Sequence, residues 1–240
     1  QLASPFPLLA AIGAKTQRIE IGTGVIDMRY ENPLYMAEDA GAADLISGGR
    51  LQLGISRGSP EQVIDGWRYF GYVHSEGLRE RIWWGAGSNA TAEWAAKLGM
   101  NLQSSTLKDD ETGEPFHIQQ AKQIRAYREA WAAAGHTRTP RVSVSRSIFA
   151  LMNQQDRAYF GASRNESDSV GYLDEKTRAI FGRSYAAEPD KLIEQLKQDE
   201  AIAEADTLLL TVPNQLGVEY NVHVIESILK HVAPGMGWRD

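Results

Sequence analysis

The chain has 240 residues, enough for one large domain or two small ones, and its 42% hydrophobic and 23% charged residues are those of an ordinary globular protein. A net charge of −6 without a basic block excludes a nucleic-acid grip, no apolar run reaches the ~18 residues of a membrane span, and nothing after Gln1 reads as a signal peptide. Cysteine is absent, which removes disulfides, thiolate nucleophiles and Cys-ligated zinc and leads us to expect a cytoplasmic protein.

Helix and strand patterns alternate along the chain. Pro7 to Lys15 reads as a short helix, and Arg18 to Ile26 as a buried strand whose end is glycine-rich at Gly22 to Gly24. Asn32-Pro33 starts a helix, with Asn as cap and Pro in the first turn, and Ser47-Gly48-Gly49 stops it. Arg50 to Ser56 and Arg81 to Trp84 are strands, Ala90 to Leu98 a helix, and Met100 to Ser104 a further strand. Lys108 to Glu114 is read as a loop and Phe116 to Ala134 as a long helix capped by Gly135. Arg141 to Leu151 reads as one strand, and Gln154 to Arg178 as a polar, irregular excursion. A helix from Pro189, a strand from Ala205 to Val212 and a helix from Val222 to Val232 complete the pattern. Such alternation implies parallel strands joined by right-handed crossovers. Strands ending in Gly, Ser, Thr and Arg fit a β/α barrel with its chemistry at the strands' C-terminal ends. A doubly wound open sheet competes, but the strict Gly-x-Gly-x-x-Gly does not occur, and Gly85 to Ala90 matches only its looser form.

Two segments carry the functional signal. Gly54-Ile55-Ser56-Arg57-Gly58 delivers a fixed cation at a strand end, and an arginine binds phosphate through paired N–H groups. Gly85-Ala86-Gly87-Ser88-Asn89-Ala90-Thr91 opens a helix whose N–H groups and two hydroxyls suit an anion. Together they suggest a phosphate-bearing cofactor. The bland alternatives are an Arg57–Glu61 surface ion pair and a plain Ser88 helix cap. Gly54 to Gly58 also spells the Gly-x-Ser-x-Gly elbow of hydrolases, with Asp206 and His231 following in that order, yet Gly58-Ser59-Pro60 stands where the elbow's helix must begin. The five histidines form no close metal-type pair, and solvated or helix-end roles are expected for His74, His117, His136, His223 and His231. For Arg146 a ligand anion competes with a structural carboxylate, and Met28, Arg29 and Tyr30 are placed to shape a pocket. Of Trp83 and Trp84, one ring is expected inside the barrel and the other against the helices.

Four segments, in this order, resemble the bacterial luciferase-like flavin-dependent monooxygenases. They are Ile19 to Val25, Asn32 to Arg50, Leu53 to Gly58 and Ile82 to Gly99. The resemblance implies a luciferase-like (β/α)8 TIM-type barrel, a single domain over 1–240 that lacks the first βα unit or units and one internal loop. It implies unresolved segments before residue 1 and near 73–74, and a catalytic histidine of the family upstream of Gln1. It also implies that Arg57, Gly87, Ser88 and Thr91 hold the FMN phosphate and that Thr23, Gly24 and Val25 lie beneath the flavin ring, near a non-proline cis bond. Ser56 would stand by the reactive edge. A bend in a barrel strand is the alternative reading of Gly24-Val25. The implied activity is a monooxygenase that uses reduced FMN and O2 on a small organic substrate, fed by a separate flavin reductase and assembled as a homodimer. The alternatives are an F420 (deazaflavin)-dependent oxidoreductase and a non-catalytic flavin-binding relative or subunit.

Overall fold

The computed structural model describes residues 4–28, 31–56, 77–109, 112–161, 167–172 and 177–238. The chain opens with α1 (Pro5–Lys15), which has Pro in its first turn, where no N–H is needed, and continues into β1 (Ile21–Asp27). The side chain of Asn32 accepts from the Leu34 and Tyr35 N–H groups to start α2 (Pro33–Ser47), and Gly48, at φ 70°, ends it with a left-handed cap. Next come β2 (Leu51–Ser56), a 3₁₀ turn at Leu78–Arg81, β3 (Ile82–Ala86), α3 (Asn89–Lys97), β4 (Asn101–Ser104) and β5 (Leu107–Lys108). α4 (Phe116–Ala133) is followed by β6 (Val142–Arg146), β7 (Ile148–Ala150), α5 (Gln154–Phe160), β8 (Ser169–Tyr172), β9 (Arg178–Phe181) and β10 (Tyr185–Ala187). The chain closes with α6 (Pro189–Lys197), α7 (Glu200–Glu204), β11 (Thr207–Leu210) and α8 (Gly217–His231).

The residues pack as two compact units. Unit 1 holds Gln1–Ala86, Ala90–Gln103 and Tyr127–Pro140. Its strands run in the order β1-β2-β3-β4, with β1, β2 and β3 parallel. Leu51, Leu53, Ile55 and Ile82 are buried, as parallel strands covered on both faces require. Trp84 meets Trp94 of α3 edge-on at 4.8 Å, while Trp83 donates through Nε1 to Gln52 Oε1 at 2.8 Å. Alternation along β3 thus sends the two indoles to opposite faces. The sheet is strongly curled. Gln103, on β4, donates through Nε2 to the Gly24 carbonyl of β1 at 3.3 Å. Three strand spacings of flat sheet would separate the two by ~14 Å.

One end of unit 1 is tied by a single cation. The Arg50 guanidinium donates to the Ser47, Ile19, Gly13 and Thr16 carbonyls and to the Thr16 hydroxyl, at 2.7–3.0 Å. All but Ile19, which lies just before β1, belong to the ends of α1 and α2, where helix carbonyls lack partners. Buried Asp44 acts beside it. Its carboxylate accepts the Leu51 N–H at 3.0 Å and pairs with Arg81 at 2.6 Å. The Asn32 to Arg50 segment therefore does structural work at the strands' N-terminal ends.

Unit 2 holds Gly87–Asn89, Ser104–Ala126 and Arg141–Asp240, so α4 contributes to both units. It contains the parallel pairs β6–β11 and β7–β10 and an antiparallel β5-β9-β8 sheet. Its buried anchor is Arg146, whose Nε and Nη2 donate to Asp199 at 2.7 and 3.0 Å while the Tyr185 hydroxyl donates to the same carboxylate at 2.7 Å.

Several expectations need correcting. Arg141 to Leu151 is two strands, because β6 pairs with β11 whereas β7 pairs with β10. The stretch read as irregular contains α5, started by a reciprocal capping box between Asn153 and Asp156, and β8, whose partner β9 begins at its last residue, Arg178. The loop expected from Lys108 begins inside β5, which is held by β9. Arg146 serves the carboxylate of Asp199 and not a ligand anion. Met28 is buried in the core, and Arg29 and Tyr30 lie outside the described residues.

Candidate functional site

In unit 1 the parallel strands end side by side at Asp27, Ser56 and Ala86. Here β1 bulges. Thr23 stands opposite Leu53 and Ile26 opposite Ile55, so Gly24 and Val25 together face Gly54. The Gly24–Val25 peptide is cis. Thr23 Oγ1 donates to the Gly54 carbonyl at 2.7 Å and pins the bulge to β2. The Val25 methyls lie over β2 and β3, where Gly54 and Gly85 leave room. A methyl group on Gly54 would stand 2.2 Å from the Thr23 carbonyl, whereas one on Gly24 would meet nothing within 4 Å. The bulge therefore packs inward at Gly54 and opens outward at Gly24. Thr23, Gly24, Val25 and Ser56 are brought together, with Ser56 half-buried at the end of β2 beside Gly85. Arg57 and His74 lie outside the described residues, as do positions 73–74.

The second expected segment divides between the units. Thr91 lies half-buried in the first turn of α3 in unit 1. Gly87 and Ser88 lie in unit 2, held from behind. Gln123 Nε2 donates to the Ser88 carbonyl at 2.9 Å and the Asp109 N–H to that of Gly87 at 3.3 Å. Ser104 and Gln120 extend this buried chain, with Ser104 Oγ donating to Gln123 Oε1 at 2.6 Å and Gln120 Nε2 to Ser104 Oγ at 3.0 Å. Lys108, 1% exposed, donates to Asn89 Oδ1 at 2.7 Å.

Two of these residues escaped the sequence reading. Gln103 left only a faint signal, as one of three polar residues (with Asn101 and Ser104) in the strand read from Met100 to Ser104. Lys108 left none, because in sequence it opens a charged stretch. The histidines also divide. His117 accepts the Glu200 N–H at 3.2 Å, and His136 contacts the Ala96 carbonyl at 2.9 Å and the Trp131 ring at 4.5 Å. His223, expected to be solvated or at a helix end, lies within α8, half-exposed, and meets the buried Asp156 carboxylate at 2.9 Å. Asp206 accepts the Val142 N–H at 2.6 Å and the Thr207 hydroxyl at 2.8 Å, which makes it a clamp between β6 and β11.

Residues 1–80 match the family described as luciferase-like monooxygenase. The matched part, the first third of the chain, is similar to that family. The oxygenase component of flavin-dependent trigonelline monooxygenase from Acinetobacter baylyi is 38% identical over 56 residues, 23% of this chain and 16% of the relative. The match thus spans about a sixth of that relative's length. The oxygenating constituent of 3,6-diketocamphane monooxygenase from Pseudomonas putida, solved with FMN, is 17% identical, with 98% of this chain and 85% of that chain covered at a TM-score of 0.64. The coenzyme F420-dependent tetrahydromethanopterin reductase from Methanopyrus kandleri is 14% identical, with 97% and 88% covered at a TM-score of 0.61. The fold is that of the luciferase-like β/α barrels, present in part. Among the described residues no helix is long and apolar enough to cross a membrane, and no cluster of three His, Cys, Asp or Glu suits a metal.

Proposed function

We propose that this chain is the cofactor-holding part of a flavin-dependent monooxygenase that uses reduced FMN and O2 on a small organic substrate. The observation that carries the reading is the open backbone at Gly24. It stands in the bulge of β1, a few residues short of the C-terminal ends of parallel strands, the end at which β/α barrels place their chemistry. Backbone without a side chain lets a planar ring approach closely, so the residues present fit a flavin. Thr23, Gly24 and Val25 would floor the ring, and Ser56 would offer a hydroxyl at its edge. Arg57, Gly87, Ser88 and Thr91 would hold the phosphate. Reduced flavin would supply the electrons that activate O2; the chain's share is to bind, orient and exclude water. A separate flavin reductase, a homodimer and a cytoplasmic location complete the proposal.

An F420-dependent oxidoreductase is the second reading, supported by the F420-dependent neighbour. Anaerobic titration with reduced FMN and with reduced F420 separates the two. Tight, saturable FMN binding is expected, weakened about tenfold or more in Arg57→Ala, since charged hydrogen bonds contribute ~1.5–3 kcal/mol. Unchanged affinity in that variant overturns the phosphate assignment. Oxygen consumption with reduced FMN and candidate substrates tests the monooxygenase step.

A further inference from the structure

Unit 2 carries a recess lined by residues that the proposed flavin site does not use. It lies between α5, which follows β7, and α8, which follows β11, and is an open recess of about 650 Å3. Asn153, Gln155, Tyr159, Glu219, Tyr220 and His223 line it. At its base is Asp156, 1% exposed, whose carboxylate accepts the Met152 N–H at 2.9 Å, the Asn153 N–H at 3.2 Å and the Tyr220 hydroxyl. Burial alone would raise its pKa, but the Tyr220, Met152 and His223 hydrogen bonds outweigh burial and hold the carboxyl below its ordinary value.

An ionised Asp156 has no proton to share, so the proton of the His223 contact sits on Nε2, 2.9 and 3.2 Å from the two carboxylate oxygens. A neutral imidazole then keeps its lone pair on Nδ1. That atom has no partner among the described residues, and the His223 side chain is 35% exposed. Asn153 Nδ2 flanks the ring at 3.4 Å from Nε2. The walls are aromatic. Tyr159 meets Tyr220 edge-on at 5.2 Å, and Tyr220 lies 5.4 Å from the His223 ring. Among the described lining residues there is no Lys or Arg, while Glu219 stands exposed at the rim.

We propose that this recess binds a small protonated amine carrying an aromatic or apolar body. An ammonium N–H would donate to His223 Nδ1. Glu219 and Asp156 supply opposite charge, and the Tyr159 and Tyr220 faces attract a cation. An anion would meet two carboxylates and no fixed cation. The Asp156–His223 pair orients the acceptor, as a carboxylate orients an imidazole in many sites.

The test uses the full chain with labelled histidine and reads the His223 ring nitrogens by NMR during titration with benzylamine, benzyl alcohol and benzoate. Benzylamine is expected to give a saturable Nδ1 shift, at least tenfold tighter than either other probe. Read by calorimetry, because the reporting ring is gone, His223→Gln should show no saturable benzylamine binding. Because His223 also holds α8 to α5, Glu219→Gln, an exposed change, is the second variant and should weaken benzylamine several-fold while leaving the unliganded spectrum in place. Benzoate or benzyl alcohol binding as tightly as benzylamine overturns the proposal. So does a His223 ring that benzylamine leaves unmoved, or an affinity indifferent to Glu219→Gln.

Discussion

At the scale of single residues, glycine does two different jobs on the inner face of unit 1. At Gly54 an added methyl would stand 2.2 Å from a backbone oxygen, and neither partner is free to move. Gly54→Ala should therefore cost about 1–3 kcal/mol, the usual range for overpacking. At Gly85 the nearest atoms to an added methyl would be the Val25 methyls and the Ser56 Cβ, at 3.3–3.4 Å. The reduced entropy of the unfolded chain, ~0.4–1 kcal/mol, offsets that contact, and Gly85→Ala should fall within about 1 kcal/mol of wild type. Urea midpoints of the two variants check this; equal midpoints would refute the packing account of the bulge. Both glycines are visible in the sequence, but nothing there separates a clashing position from a yielding one. The difference arises from where the neighbouring strand bends.

At the scale of elements, the caps were legible because they are local. Asn32-Pro33, Ser47-Gly48-Gly49 and Gly135 act on chain within a few residues, and the helix beginning at Asn32-Pro33 and closing at Gly48 forms as read. The break at Ser147 was not legible. Val142, Val144, Ile148 and Phe149 read as one apolar run, and the division appears only because the Ser147 carbonyl accepts the Tyr185 N–H at 2.8 Å, where β10 joins. β10 itself is three residues long, too short for a periodic signal. Arg50 shows the same contrast. In sequence it merely precedes a strand; in the fold its planar fork reaches carbonyls at the ends of two helices. Lysine keeps the charge but not the fork. Arg50→Lys should thus destabilise the protein by about 2–3 kcal/mol, the scale of charged hydrogen bonds, and a smaller loss than about 1 kcal/mol in chemical denaturation would show that the fork is dispensable.

At the scale of the whole molecule, two buried carboxylates make stability depend on acid. In Asp199, burial raises the pKa, but the Arg146 and Tyr185 hydrogen bonds more than compensate and hold it below the ordinary value; Asp156 behaves alike. A carboxyl that ionises more readily folded than unfolded contributes fully above its unfolded pKa, ~3.9, and that contribution fades as pH falls from there through the depressed folded value. Stability should hold from neutral pH to about pH 5 and then drop. Asp199→Asn should lose about 3–5 kcal/mol at pH 7, because Arg146 is left buried without its anion, and should flatten the acid dependence. Urea midpoints between pH 7 and pH 3 measure both effects. At the opposite extreme, burial and the Asp199 charge push the Tyr185 phenol up to about 12, so its ionisation at 295 nm should trail that of ordinary tyrosines.

The sequence by itself determined the alternation of helix and strand, the parallel class of the sheet, the family likeness over the first third and the small residues at the strand ends, because each depends on neighbours within a few positions. Tertiary structure alone decided that the first strand bulges at Gly24, that Arg146 answers Asp199, and that Asp156, Tyr220 and His223 meet although more than sixty residues separate the first from the others. Those meetings depend on which strands lie side by side and which helices follow them. Periodicity carries no trace of either.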